Sequence, residues 1–518
     1  MSDHAPPPYL SLRETHCAGL LLVGARALKF KKPVELGFLD FRTQRARAEA
    51  CRREVELNRR FSPDVYLGLG HLELPFQAMP EPVVVMRRMP DDRRLSHLVA
   101  CGVDVRQDLR RLARRLAVVH AAGSRRPEVD REASLDRLRD RWEHSFAHVR
   151  EHADGIVGTG ALDEVERLTH RFLDGRGTLF AERVARGCAV DGHGDLLADD
   201  VFCLDDGPRA LDCLEFDDRL RFVDRIDDVC FLAMDLERLG APELGAAFVD
   251  WYVEFSGDDP PPALVHHYVA YRAFVRAKVA CLRQAQGVES LEDIEAHLAL
   301  ARGHLVAGAV TLVLVGGPPG SGKTTVASGV ADRLGLVVLG SDRVRKELAG
   351  LDPAASAAAE YGEGIYSDGH TARTYAELLR RADALLARGE SVVVDATWTS
   401  STWRERARTV AAGSHSDLVE IRCVVPPTQA DARVTARRAG RQHVSDADAG
   451  VATALREAVV AWPEADDLDT SQPAARAVAA VVSRVRPSHA SRLNPPHQVE
   501  RTTCPPHDGG GGLSGPRA

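Results

Sequence analysis

Apolar positions along this chain follow two rhythms, and they change places near residue 310. Before that point, alternating segments near 19–30 and the run at 83–86 read as strands. They give way to stretches with helical spacing at 45–60, 105–122, 133–152 and 161–186. Two long amphipathic stretches, 265–284 and 291–306, close this region. From 310 the pattern becomes strand 310–315, helix 325–334, strand 336–339, helix 371–388 and strand 391–395. It continues with strand 418–425 and helices at 429–439 and 449–461. Such alternation predicts a parallel sheet wrapped by helices. After about 486 the chain turns to Pro, His, Ser and Gly, which predicts a disordered tail. The expected organisation is an α+β domain at 1–308, a three-layer α/β domain at 309–485, and the tail at 486–518.

The most specific motif sits where the rhythm changes. An apolar run leads straight into Gly317-Pro318-Pro319-Gly320-Ser321-Gly322-Lys323-Thr324-Thr325. Glycines at these positions let backbone N–H groups turn onto phosphate oxygens, and the following helix presents its positive end. In this G-x-x-x-x-G-K-T spacing Lys323 reaches the β- and γ-phosphates, and the Thr324 hydroxyl is a Mg²⁺ ligand. A strand before and an amphipathic helix after supply the context that a chance match lacks, so ATP and Mg²⁺ are the expected cofactors.

Composition narrows the class. The chain has 518 residues, more than one hydrophobic core usually serves, so several domains are expected. A net charge of −8 gives no electrostatic reason for nucleic acid or membrane partners. No apolar run approaches the roughly 18 residues of a membrane helix, and a cytoplasmic protein is expected. Ten cysteines lack a C-x-x-C pair; Cys203, Cys213 and Cys230, among apolar residues, read as reduced core thiols. Of 67 basic residues only six are lysine, three of them at Lys29, Lys31 and Lys32. Lysine in so arginine-rich a chain marks places where a compact ammonium is wanted, although base composition produces the same bias.

Other residues of the second half gather at the carboxyl ends of its strands, where ligands collect in such sheets. Asp395 ends an apolar strand and either supports Mg²⁺ or caps the strand. In Ser341-Asp342-Arg343-Val344-Arg345-Lys346, Asp342 is placed to take an acceptor's proton and Arg345 to neutralise the transferring phosphoryl group. The alternative is a helix cap and an exposed basic turn. Arg433, Arg437, Arg438 and Arg441 sit at spacings that put several on one helix face, as in a lid over phosphates or an ordinary solvated face.

Together, the G-x-x-G-x-G-K-T loop, S-D-x-x-R-K, V-V-V-D-A-T and the arginines before S-D-A-D resemble the P-loop small-substrate kinases. Gluconate-kinase-like and polynucleotide-kinase-like domains are among them, and the likeness covers about 309–470. The resemblance implies a P-loop NTPase fold, ATP use, and acceptor-site roles for Asp342 and Arg345, with Arg437 and Arg441 near the nucleotide. It leaves the acceptor open, since sugars, nucleosides and polynucleotide ends all serve this family.

In the first half, Asp191-Gly-His193-Gly-Asp195-Leu-Leu-Ala-Asp-Asp200 precedes a strand, a turn at Asp205-Asp-Gly-Pro and a second strand ending at Asp212. The hairpin brings the loop acids close to Asp212, so that one carboxylate can take a hydroxyl proton while others hold metal. An acidic turn region without chemistry is the alternative, and His193 reads as a loop brace. This stretch resembles the aminoglycoside phosphotransferases of the protein-kinase-like fold, whose catalytic loop is H-G-D-x-x-x-x-N, over about 15–285. The resemblance implies Asp195 as base, Asp200 and Asp212 as metal ligands, Lys29 on the nucleotide phosphates and Glu54 as its helix partner. Leu112 to His120 looks like that family's L-H helix. Two departures stand out: Asp200 replaces Asn, and Glu14-Thr-His16 offers no glycine-rich cover. An active kinase and a catalytically weakened binding module both fit this half. The acids at 215–218 and 224–228 form either a surface for a cationic acceptor or helix caps.

The two halves in this order look like the bifunctional aminoglycoside phosphotransferase/ATP-binding proteins. The expected activity is ATP-dependent phosphorylation of a small hydroxyl-bearing molecule, centred on the phosphate loop. The alternatives are a nucleotide-sensing ATPase on a pseudokinase scaffold and, less favoured, a polynucleotide end kinase, for which no basic stripe with interleaved aromatics is present. Oligomeric state is open.

Overall fold

The computed structural model describes residues 9–14, 17–35, 40–73, 79–123, 125–152, 159–352, 364–439 and 461–485, with side chains throughout except at 159 and 437–439. Arg441, the helix expected at 449–461 and the tail after 486 lie outside these residues, as does the side chain of Arg437. The chain divides into two compact units. The first runs up to Glu132 and resumes over Ala189–Asp258; the second takes in Ala133–Cys188 and the chain from Asp259 onward.

In the first unit, strands β1 (Leu10–Glu14), β2 (Ala18–Val23), β3 (Arg26–Lys31), β4 (Tyr66–Leu72) and β5 (Glu81–Arg87) form an antiparallel sheet in the order β1-β2-β3-β5-β4. The helix Gln44–Asn58 starts at Thr43, whose Oγ1 accepts from Ala46 N at 3.2 Å. It lays Cys51 and Val55 onto Val84 and Met86 of the sheet, in a core shared with Phe202, Leu204 and Leu211. Two short antiparallel pairs follow: β6 (Ala189–Asp191) with β9 (Phe222–Asp224), and β7 (Val201–Leu204) with β8 (Gly207–Ala210). Helices Arg106–Ala122, Arg225–Arg238 and Pro242–Ser256 support them; the last two were not foreseen from periodicity.

The second unit contains the expected parallel sheet. Strands β10 (Thr311–Gly316), β11 (Val337–Gly340), β12 (Val392–Asp395), β13 (Asp417–Val424) and β14 (Asp466–Asp469) pair in parallel in the order β11-β12-β10-β13-β14. All six residues of β10 are buried, as a central strand covered on both faces demands. Val313, Val315 and Ile421 meet Val326 and Val330 of helix Lys323–Leu334 and Val478 and Val481 of helix Ala474–Val485. Helices Leu135–His152, Thr159–Gly175, Gly177–Ala185, Pro262–Ala285 and Leu291–Ala307 belong to the same unit. The single helix expected at 161–186 is broken at Arg176, whose Nη1 donates to Gly175 O and Ser414 O, both at 2.7 Å. That buried guanidinium takes the place of a continuing helical turn.

Candidate active sites

The phosphate loop is shaped by backbone. Gly317, Gly320 and Gly322 have φ of +141°, +83° and +86°, values that favour glycine. A Cβ at Gly320 would lie 2.5 Å from Ala430 O, and one at Gly317 would lie 2.7 Å from Ser321 Oγ. Ser321 N donates to Pro318 O at 3.1 Å, closing the turn through Pro318 and Pro319, and Gly317 N donates to Thr397 O at 3.3 Å. Two residues brace the loop from outside. Thr470 Oγ1 donates to Ser321 O at 2.6 Å, and Arg433 donates to Gly320 O at 3.4 Å and to Thr470 O at 2.8 Å. Arg433 is therefore a strut of the loop and not part of a lid. The Ser321 hydroxyl is buried without a hydrogen-bond partner among the described residues.

Thr324, in the first turn of helix Lys323–Leu334, and Asp395, at the end of β12, meet: Thr324 Oγ1 donates to Asp395 Oδ2 at 2.6 Å. Parallel pairing of β10 with β12 sets Val315 opposite Asp395 and makes this possible. A hydroxyl and a carboxylate side by side form the hard oxygen set that suits Mg²⁺. The glycine-only cradle suits polyphosphate, so the residues present fit both groups. Lys323 opens the helix and Thr325 follows Thr324, exposed, in its first turn.

Asp342 and Arg345 lie on helix Ser341–Leu348 after β11. Asp342 is half-buried. Arg345 is buried, donates from Nη1 to Ile365 O at 2.8 Å and Thr371 Oγ1 at 2.9 Å, and stacks on Tyr366. Sequence reasoning missed Tyr375. Its hydroxyl accepts from Trp398 N at 3.1 Å, lies 3.1 Å from Thr397 Oγ1, and is within electrostatic reach of both Arg345 and Asp342. Burial raises its pKa, with Asp342 adding to the effect. Trp398 holds φ at +52°, and Trp403 stacks on Tyr375, so an aromatic wall stands beside the candidate acceptor residues. No local pattern could have marked Tyr375, because helix Asp368–Leu386 reads as ordinary amphipathic sequence.

The first unit builds its site from side chains. Lys29 on β3 pairs with Glu54 at 2.9 Å and with Asp212; Lys31 pairs with Glu54 at 2.8 Å and with Glu215. Glu54 is fully buried between the two ammoniums. Burial works against Lys29's charge, yet Asp212, Glu54 and Glu215 hold its pKa well above the ordinary value. Asp212 adopts φ +64°, its N donating to the Tyr66 hydroxyl at 3.0 Å. Asp200 is raised well above the usual carboxylate range by burial and by the charges of Asp212 and Asp195. Asp195 and Asp212 are thus both within electrostatic reach of Asp200.

Asp228 organises the loop that carries Asp195. Its carboxylate accepts from His193 N (2.9 and 3.0 Å) and Gly194 N (2.8 Å), and lies 3.1 Å from His120 Nε2. Burial opposes the ionised form, but His120 and these amides hold its pKa far below the usual range. His193 lies 2.9 Å through Nε2 from Leu211 O and is a brace. Asp224 caps its helix by accepting from Ile226 N at 2.8 Å, while Glu215 pairs with Lys31 and Asp218 with Arg221. With Asp227 and Asp228 buried as well, these acids are not a surface for a cationic acceptor.

A kinase-like unit and a parallel-sheet P-loop unit define the class of fold: a two-part architecture. Residues 312–461 match the family model for the AAA domain. The chain is 43% identical over 472 residues to the uncharacterized protein Rv2004c of Mycobacterium tuberculosis, covering 91% of this chain and 94% of that one. It belongs to the same family as that Mycobacterium tuberculosis protein. Among solved structures, it is similar to the Mycobacterium tuberculosis APS kinase CysC in complex with AMPPNP and APS (24% identity, 35% of this chain, 99% of that chain, TM-score 0.26). It is also similar to the GDP and kanamycin complex of APH(2")-IIia (16% identity, 59% of this chain, 96% of that chain, TM-score 0.37). Among the described residues no helix is long and apolar enough to cross a membrane.

Proposed function

We propose that this protein transfers the γ-phosphoryl group of ATP to a hydroxyl of a small molecule, and that transfer takes place at the phosphate loop of the second unit. The observation that carries this reading is the Thr324–Asp395 contact of 2.6 Å beside a loop that only glycines can form. The backbone from Gly317 to Thr325 holds the polyphosphate, and Lys323 holds the β- and γ-phosphates. Thr324 and Asp395 hold Mg²⁺, which supplies neutralisation of phosphate charge. Asp342 accepts the proton of the acceptor hydroxyl as the new O–P bond forms and the bond to the leaving ADP oxygen breaks. Arg345 orients the acceptor, and Trp403, backed by the buried Tyr375 on which it stacks, is its apolar wall.

Calorimetry with ATP and Mg²⁺ on the full chain tests the nucleotide step. Phosphorylation of metabolite pools with γ-labelled ATP, run in parallel on the parent, Lys323→Ala and Asp195→Ala, tests the placement. Absence of ATP uptake by folded protein, or full transfer by Lys323→Ala with every acceptor, overturns the reading. One observation favours a second reading, in which the first unit transfers phosphate itself: Lys29, Glu54, Asp195, Asp200 and Asp212 converge there. Products lost only in Asp195→Ala would establish it.

A further inference from the structure

Away from both sites, the first unit contains a cavity of about 320 Å³ lined by Arg111, Arg114, Arg115, Val118, Asp206 and Arg209, with Pro208 at its edge. On helix Arg106–Ala122, Arg111, Arg114 and Arg115 follow i, i+3, i+4 spacing and share one face, where like charges destabilise a helix. Neighbouring arginines have carboxylate partners: Arg110 with Glu254 at 2.9 Å, Arg93 with Asp205 at 2.8 Å, and Arg209 with Asp64 at 2.8 Å and Asp206 at 2.7 Å. Among the described residues, Arg111, Arg114 and Arg115 make no ion pair and no side-chain hydrogen bond. The wall thus carries four guanidiniums against one carboxylate. Asp108 beside Arg111 and Asp64 behind Arg209 reduce the excess without cancelling it. Burial and the Arg209 charge lower the pKa of Arg115, and Asp64 offsets part of this. Arg111 and Arg114 are exposed and Arg115 half-buried, so the cleft is open and its unpaired guanidinium forks are free to meet an anion, whose phosphate oxygens they match.

We propose that this cavity binds a small phosphorylated molecule, with its dianionic phosphate on Arg111, Arg114 and Arg115 and its apolar part against Val118 and Pro208. Val118 is 62% exposed, a large apolar side chain facing solvent beside charge, which a ligand's carbon skeleton would cover. The volume lies at the small end of metabolite pockets, which selects a compact ligand. The site is separate from the acid cluster. It lies at the turn of the β7–β8 hairpin, whereas Asp200 and Asp212 flank the other end, roughly 13 Å away at about 3.3 Å per residue. The same hairpin joins the two places, since Leu211 N donates to Asp200 O at 2.9 Å. The ligand therefore settles on the hairpin that Asp200 and Asp212 flank.

The test uses the full chain and an arginine-selective dicarbonyl reagent, with modification read peptide by peptide in mass spectrometry, so that anion binding at the phosphate loop is not confused with binding here. Inorganic pyrophosphate is the probe, and ionic strength is held constant with sodium chloride. Pyrophosphate is expected to slow modification of Arg111, Arg114 and Arg115 by about tenfold while leaving Arg106 of the same helix unchanged. In an Arg114→Gln/Arg115→Gln protein with unaltered melting, the concentration that protects Arg111 should rise by about tenfold or more. Glucose 6-phosphate should protect and glucose should not. Equal protection by chloride alone, or none by pyrophosphate, overturns the site. Protection by citrate matching that by the phosphate ester overturns the phosphate assignment.

Discussion

The two candidate sites are made of different material. In the second unit the cradle is backbone, three left-handed glycines and a helix start, and Lys323 makes no ion pair among the described residues. In the first unit the corresponding cation, Lys29, is already held by Glu54 and Asp212, and Lys31 by Glu54 and Glu215. A polyphosphate entering the loop meets amides and an ammonium with no competitor. One entering the other site must share Lys29 with Asp212, and only a cation taken up by Asp195, Asp200 and Asp212 would make that exchange favourable. On the proposed reading, backbone preorganisation makes the loop ready for polyphosphate as it stands, while charge cancellation makes the other site conditional on a cation.

The largest expected effect breaks or keeps that ranking. Lys323→Ala should lower phosphotransfer by about 10³-fold, whereas Asp195→Ala should leave the principal product within a few fold. Initial rates with labelled ATP decide between them, and the reverse pattern would make the first unit the working centre. Asp228→Ala comes next. It leaves His193 N, Gly194 N and His120 without their buried acceptor, for a loss of about 3–5 kcal/mol in denaturant unfolding. A loss below about 1 kcal/mol would show that the first site does not depend on internal charge as argued.

How much of this was legible beforehand differs between the units for the same physical reason. β10 and the phosphate loop are contiguous, so one stretch of sequence carries strand, turn and helix start, and β12 announces itself as four buried residues ending in Asp395. The kinase-like fold of the first unit was also readable, from a strand lysine and an H-G-D loop. What escaped was long-range. Strand β14, Asp466–Asp469, has three carboxylates in four residues and exists because β13 offers an edge and Leu468 a buried anchor. Thr470, the brace of the loop, lies 149 residues from Ser321. Asp228 resembles a helix cap until folding carries His193 over it. Arg176 ends a helix through a carbonyl on another element, Ser414 O. None of these contacts has a local periodicity that could report it.

A smaller effect probes the backbone half of the comparison. Gly320→Ala combines a φ of +83° with a Cβ 2.5 Å from Ala430 O, a strain of about 1–3 kcal/mol. ATP affinity should fall with it, while melting of a Gly102→Ala control, where φ is +69° and nothing crowds the Cβ, isolates the dihedral cost. Equal losses in the two variants would mean that crowding against Ala430 contributes nothing.

In each unit burial holds a histidine well below its ordinary pKa, so acid should weaken both by the same mechanism. Burial lowers His193 to about 4 in the first unit and His267 to about 3 in the second. In the unfolded chain each takes a proton near pH 6.5, so between there and the folded value the unfolded state binds more protons and is favoured. The stabilisation is complete above about pH 6.5 and shrinks as the pH falls towards those folded values. From pH 7.5 to 5.5 the loss should be about 1 kcal/mol per histidine. Asp228 has the opposite charge change and contributes only below the ordinary carboxylate range, so this window is free of it. Unfolding curves of the parent and of His193→Gln and His267→Gln at both pH values separate the contributions. Each replacement should remove its own share of the slope even though it also lowers stability at every pH, through the lost Leu211 O contact and the lost Trp142 Nε1 contact at 3.3 Å. A slope unchanged in His193→Gln would mean that His193 takes up its proton at the same pH folded and unfolded, and that burial does not hold the brace at Leu211 O neutral.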